Sequence, residues 1–244
     1  MINSKSIKCI YMESGYVDYK ICDRDFDCEN CPFDKAIHDQ GSSNKLIKSD
    51  IALEEKNPNR KFDNDREIPS DLLFSKNHVW IKKNDKEEYL LGIDHLAQNV
   101  VRRISTFQFP FVGSQVDKDK PILWVIGKWG VVSIPSPINC IIQEINSDVL
   151  LNINNFFFED IYKLWLLKVK AIDQIHLSKL NQGRAHNKLL SEDLLTIKNF
   201  MGEATNNPLL GTTMYDGGDL LTNLPDHLNN KEYVQLLKLI FNKK

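Results

Sequence analysis

The chain has almost no charge of either sign to spare. Its 31 Lys and Arg stand against 33 Asp and Glu, a formal net charge of −2. That balance excludes the basic footprint of a nucleic-acid binder. No apolar run approaches the roughly 20 residues a membrane span needs, so no membrane role is expected. The first residues, Met1-Ile-Asn-Ser-Lys-Ser6, are polar and lack the apolar core of a signal peptide. These absences predict a cytoplasmic protein whose cysteines are reduced or metal-bound rather than cross-linked. Gly-rich phosphate loops, Walker sequences, serine or cysteine nucleophile motifs and internal repeats are also missing. None of these motifs offers a candidate catalytic residue.

What remains is enough for a core and for more than one domain: 244 residues, 42% of them hydrophobic. Residues 1–40 hold four of the five cysteines. Residues 41–70 are a charged stretch broken by Asn57-Pro58-Asn59, read as a linker. Residues 71–172 alternate short β-type runs with turn residues, as in Val79-Trp-Ile81, Tyr89–Ile93, Ile104–Phe109, Pro121–Ile126, Val131–Ile134, Cys140–Ile145 and Leu164–Val169. That spacing predicts a small antiparallel sandwich or barrel, interrupted by a short helix that Asp94 caps. Residues 173–244 read as a mostly helical extension. One helix is expected to start at Ser191-Glu-Asp, with Leu194, Ile197 and Met201 on one stripe. A last helix is expected to be capped by Asn230, with Tyr233, Leu236, Leu237, Ile240 and Phe241 sharing a face.

The cysteines are spaced Cys9-x12-Cys22-x5-Cys28-x2-Cys31. A Cys-x2-Cys step is a compact chelating unit, and two further thiolates complete a tetrahedral set. Zinc is the first reading, since a redox-inert ion suits a small structural module. An iron–sulfur cluster is the second, because Cys31-Pro32 matches the Cys-Pro step of ferredoxin-type runs. Free or redox-paired thiols are the third. Asp34 and His38 lie close by, but four thiolates already fill a site. Cys140, beside Ile141 and Ile142, is read as core. His78, next to a strand tryptophan, is read as a hydrogen-bonded framework residue.

The other conspicuous feature is the hairpin Leu123-Trp-Val-Ile-Gly-Lys-Trp-Gly-Val-Val-Ser-Ile-Pro-Ser-Pro137, with Gly127-Lys128-Trp129-Gly130 at its tip. Glycines at both ends of a tip suit a tight turn, and a lysine there stands on a rigid support.

Around this hairpin the middle third resembles the glycine cleavage system H-protein family. The resemblance is carried by Phe74-Ser-Lys-Asn-His-Val-Trp80, Gly92-Ile-Asp-His-Leu-Ala-Gln98, Phe109-Pro-Phe-Val-Gly-Ser-Gln-Val116, Ile134-Pro-Ser-Pro137, Glu144-Ile-Asn146 and Trp165-Leu-Leu-Lys-Val-Lys170. It runs over about residues 71–171 and covers neither the cysteine module nor the extension. It implies a mainly β fold, the flattened lipoyl/biotinyl-type barrel-sandwich with short helices. It also implies a non-catalytic carrier of a lipoyl group on a hairpin lysine, with glycine cleavage enzymes and a lipoyl ligase as partners.

The tip departs from the family motif, Glu-Ser-Val-Lys-Ala, whose lysine stands eight residues before the proline of Ile-x-Ser-Pro. Eight residues before Pro137 is Trp129, and Lys128 is nine before it. The resemblance therefore places a tryptophan at the lipoyl position and Ile126-Gly127-Lys128 where Glu-Ser-Val is expected. The leading expectation is an adaptor with protein partners, a structural metal and no lipoyl group. In it, Gly127, Trp129 and Gly130 form a binding tip, with Trp129 either an exposed anchor or folded back onto the barrel. A working lipoyl carrier on Lys128 and an iron–sulfur redox partner are the alternatives.

Overall fold

The computed structural model describes residues 8–13, 17–24, 26–39, 67–85, 87–151, 153–158, 160–173, 180–204 and 224–243. Most of the expected linker lies outside them.

Among the described residues, nine strands form two antiparallel sheets. The larger has the order β1 (Leu72–Phe74), β2 (Val79–Lys83), β3 (Glu88–Ile93), β9 (Leu167–Ala171), β8 (Cys140–Ile145), β5 (Gln115–Val116). The smaller is β4 (Ile104–Gln108), β6 (Pro121–Gly127), β7 (Gly130–Pro135). Together with the short helices between strands, they make the lipoyl-type barrel-sandwich. The seven β-type runs read from sequence all correspond to strands, although β9 starts three residues later than the run that predicts it. The two-residue β5 and three-residue β1 are too short to carry a period.

Between β3 and β4 lies α3 (His95–Val100), capped as expected: Asp94 accepts a hydrogen bond from the Ala97 amide. Two further short helices, α4 (Ser147–Leu151) and α5 (Ile153–Phe158), bring Phe156 into the core.

The expected extension does not stand apart. Its long helix, α6 (Arg184–Ala204), begins seven residues before the predicted start. Ser191 is inside it, donating its hydroxyl to the Asn187 carbonyl at 2.9 Å. A serine bonded back four residues is a mid-helix serine, not a cap. Then come α7 (Leu224–His227) and α8 (Asn230–Phe241). The cap of α8 is Asn229, one residue earlier than expected, in a reciprocal capping box with Glu232. Its predicted apolar face is the buried one. Leu190, Leu194, Ile197, Met201, Tyr233, Leu236, Leu237, Ile240 and Phe241 join the same continuous core as Phe74, Trp80, Leu91, Phe107 and Val132. The boundary expected at 172 thus falls within one shared core.

The N-terminal part, with α1 (Ile10–Glu13), a 3-10 turn at Cys28–Asn30 and α2 (Pro32–Asp39), has its own smaller cluster. Ile10, Tyr11, Cys9 and Cys28 pack there on Trp124, Ile126 and Val131. Strand alternation explains this. Leu123 and Val125 of β6 face the main core, while Trp124 and Ile126 point the opposite way. An apolar run buried on both faces, Ile122–Ile126, is what a doubly covered strand requires.

Candidate functional site: a hairpin between two covers

The β6–β7 ladder pairs Gly127 with Gly130, so the turn itself is only Lys128 and Trp129. Gly130 has φ 141°, a region that L side chains rarely adopt. Gly127 is needed for a different reason. A Cβ there would fall inside the Trp129 indole and within 2.8 Å of the Arg103 carbonyl.

The two turn residues face opposite ways. Lys128 is exposed, whereas Trp129 is 3% exposed. The indole N–H donates to the Arg102 carbonyl at 2.6 Å. Its ring meets Tyr233 of α8 edge-on, with centroids 5.3 Å apart. Tyr233 in turn donates its hydroxyl to the Val100 carbonyl at 2.6 Å and accepts from the Arg102 amide at 2.8 Å. Arg103 pairs with Asp226, and the Asn230 amide reaches the Lys128 carbonyl at 3.5 Å. Of the two placements held open for Trp129, the structure has the packed one. The exposed-anchor reading of the Gly127–Trp129–Gly130 tip gives way because the indole finds both an acceptor and an aromatic partner inside.

The C-terminal cover is tied down by a second set of groups that composition gives no hint of. His78 is fully buried at φ 63°. Its Nδ1 lies 2.7 Å from Asp94 Oδ2 and its Nε2 lies 3.0 Å from Asp193 Oδ2 on α6. His186 Nε2 is 3.3 Å from the same Asp94 oxygen, and its ring stacks on Phe74 at 3.7 Å. Lys243 pairs with Asp193. Burial pushes the His78 imidazole down, but the Asp94 and Asp193 carboxylates on its two nitrogens outweigh that and lift it to about 9. Burial likewise opposes ionisation of Asp94, and the two histidines overcome it, holding its carboxyl well below the usual range. The framework role expected for His78 is the one it has, but its second partner comes from the C-terminal segment, which no local pattern signals.

On the other side of the hairpin, Cys9, Cys22, Cys28 and Cys31 all line one cavity of about 20 Å³. None of the four is in a disulfide. They come from the start of α1, a strand-like bridge at Lys8–Ile21, and the 3-10 turn. The Phe26 amide donates to Cys22 Sγ at 3.3 Å, and the Cys31 amide to the Cys28 carbonyl at 3.1 Å. Asp34 accepts from the Tyr11 hydroxyl beside the cavity. Burial pushes the Cys9 and Cys28 thiols up. Among the described residues, no group of three or more His, Cys, Asp or Glu is already arranged to hold a metal ion. Cys140 is buried in the main core, as expected. No helix among the described residues is long and apolar enough to cross a membrane.

A family comparison matches residues 72–193 to the glycine cleavage H-protein. The glycine cleavage system H protein of Bacillus subtilis (strain 168) is 32% identical over 127 residues, which is 52% of this chain and 98% of the relative. The probable glycine cleavage system H protein 2 of Saccharolobus solfataricus is 29% identical over 146 residues, 54% of this chain and 94% of the relative. Among solved structures, a glycine cleavage system H protein from Mycobacterium marinum aligns with 18% identity and a TM-score of 0.43, covering 52% of this chain and 98% of that one.

Proposed function

The chain belongs to the glycine cleavage H-protein family, and from that premise we propose a non-catalytic member that carries no lipoyl group. It acts as an adaptor for protein partners, in the cytoplasm. The observation that carries this reading is the packing of Trp129 under α8: the residue that the motif spacing aligns with the family's lipoyl lysine is built into the core. The turn does not fit a lipoyl arm. Its carbonyl at Lys128 is engaged by Asn230, Tyr233 packs on the neighbouring Trp129, and apolar Ile126 aligns with the acidic residue of the family motif. The second reading, a carrier on Lys128 serving glycine cleavage enzymes after modification by a lipoyl ligase, is favoured by one observation, the exposure of that side chain.

The same proposal gives Cys9, Cys22, Cys28 and Cys31 a thiolate-bound metal. Zinc is favoured over an iron–sulfur cluster because a redox-inert ion held by four thiolates suits a small structural module. The carrier question is tested by reconstituting glycine decarboxylation with this chain in place of an H-protein, after treatment with lipoyl ligase. The proposal expects no turnover above the protein-free control. Turnover dependent on Lys128 would establish the carrier reading instead.

A further inference from the structure

Resting on the reading of the four-cysteine cavity as a metal site, we infer that one bound zinc-type ion fastens residues 8–39 onto the outer face of the β6–β7 hairpin. Phe26 couples the site to the hairpin. Its amide donates to Cys22 Sγ at 3.3 Å, its carbonyl accepts from the Cys28 amide at 2.8 Å, and its ring lies 5.2 Å from that of Trp124. The loop that joins two of the thiols therefore carries the side chain that covers the strand.

Two observations indicate that apolar contact alone does not hold this cover in place. Phe26 sits at φ 61°, a strained conformation for a bulky residue that persists only where its surroundings enforce it. Beneath it, the Trp124 indole N–H is buried without a hydrogen-bond partner, which is itself destabilising. The module is also below the size at which a domain of about 40 residues sustains itself without a metal or disulfide. A four-thiolate ion would supply the missing constraint on the loop that carries Phe26. As each Zn–S bond forms, the thiol S–H bond breaks, its proton passes to solvent, and no atom changes oxidation state. Drawing the sulfurs inward closes the Cys22–Cys28 loop and holds Phe26 down. Removing the ion frees the loop and uncovers Trp124, Ile126 and Val131 while the barrel stays folded.

The full chain is loaded with zinc chloride, its metal content measured, and acrylamide quenching of tryptophan emission followed with and without a strong chelator. The Trp124→Phe variant isolates the Trp124 contribution. The expected result is one zinc per chain and, on chelation, a red-shifted, more quenchable signal in wild type that is absent from Trp124→Phe. Phe26→Ala should still bind one zinc yet show Trp124 exposed before chelation. Failure to take up zinc would overturn both the metal reading and the fastening. Zinc bound at one per chain, with Trp124 equally protected after its removal, would overturn the fastening alone.

Discussion

The two covers of the hairpin differ in how they are held. The C-terminal helices share one continuous core with the barrel and add a buried array of His78, Asp94, His186, Asp193 and Lys243. The N-terminal module touches the barrel through a small separate cluster, centred on Trp124, Ile126 and Val131, and gathers four thiols at its own centre. One cover is part of the fold, and the other is laid upon it. Chain connectivity does not predict this, since both segments lie outside residues 71–171, the run that carries the motifs read from sequence.

The largest effect should follow from breaking the integral cover. Trp129→Ala removes a buried indole, its hydrogen bond and its edge-on contact with Tyr233. Large-to-small changes of this kind cost about 3–5 kcal/mol, so urea unfolding should shift by that amount. A change within about 0.5 kcal/mol, as for a solvated turn residue, would mean that the indole is not packed.

The buried array gives the next effect. His78 is raised from its ordinary value of about 6.5, so its stabilisation is fully present below that pH and is lost as pH rises through about 9. Asp94 is lowered, so its contribution is present above the ordinary carboxylate range and is lost only in strong acid. Melting temperature should therefore be level just below about pH 6.5 and fall between about pH 6.5 and 9. The His78 part is worth roughly 3 kcal/mol, from the shift at 1.36 kcal/mol per unit. His78→Asn, which tolerates positive φ, should be less stable at pH 7 and show a flatter alkaline limb. An equally steep limb in the variant would remove His78 from the account.

Cys28→Ser should act only on the laid-on cover. Residues 8–39 should become protease-sensitive, while the main unfolding transition stays within about 0.5 kcal/mol of wild type, as for a change outside the core. A collapse of that transition would show that the module is integral after all. A modest effect on the main transition is expected at the α8 cap. Asn229→Ala removes the capping box with Glu232 and should cost about 1 kcal/mol.

Much of the barrel is legible in the sequence because strands buried on one or two faces carry their burial in their own residues. The cap of α3 is legible for a similar reason, since Asp94 and Ala97 are three residues apart. The fate of Trp129 is not legible. Its partners, Arg102 and Tyr233, stand 27 residues before it and 104 after it (233 minus 129), and only the assembled fold joins them. The same holds for Asp193. Within α6 it reads as a first-turn acid at a helix start, yet it is buried against His78, 115 residues away (193 minus 78). The cysteine spacing marks out four residues, and all four line one cavity. It does not announce that they gather on the back of the hairpin, because Trp124 and Ile126 look like ordinary core residues.

The central claim is that this family member has closed its presenting turn. The most direct test is the intact mass of the full chain after incubation with a lipoyl ligase, ATP and lipoate, beside an authentic H-protein as positive control. The account predicts an unmodified mass for this chain under conditions that convert the control. A lipoyl increment mapped to Lys128 would contradict it.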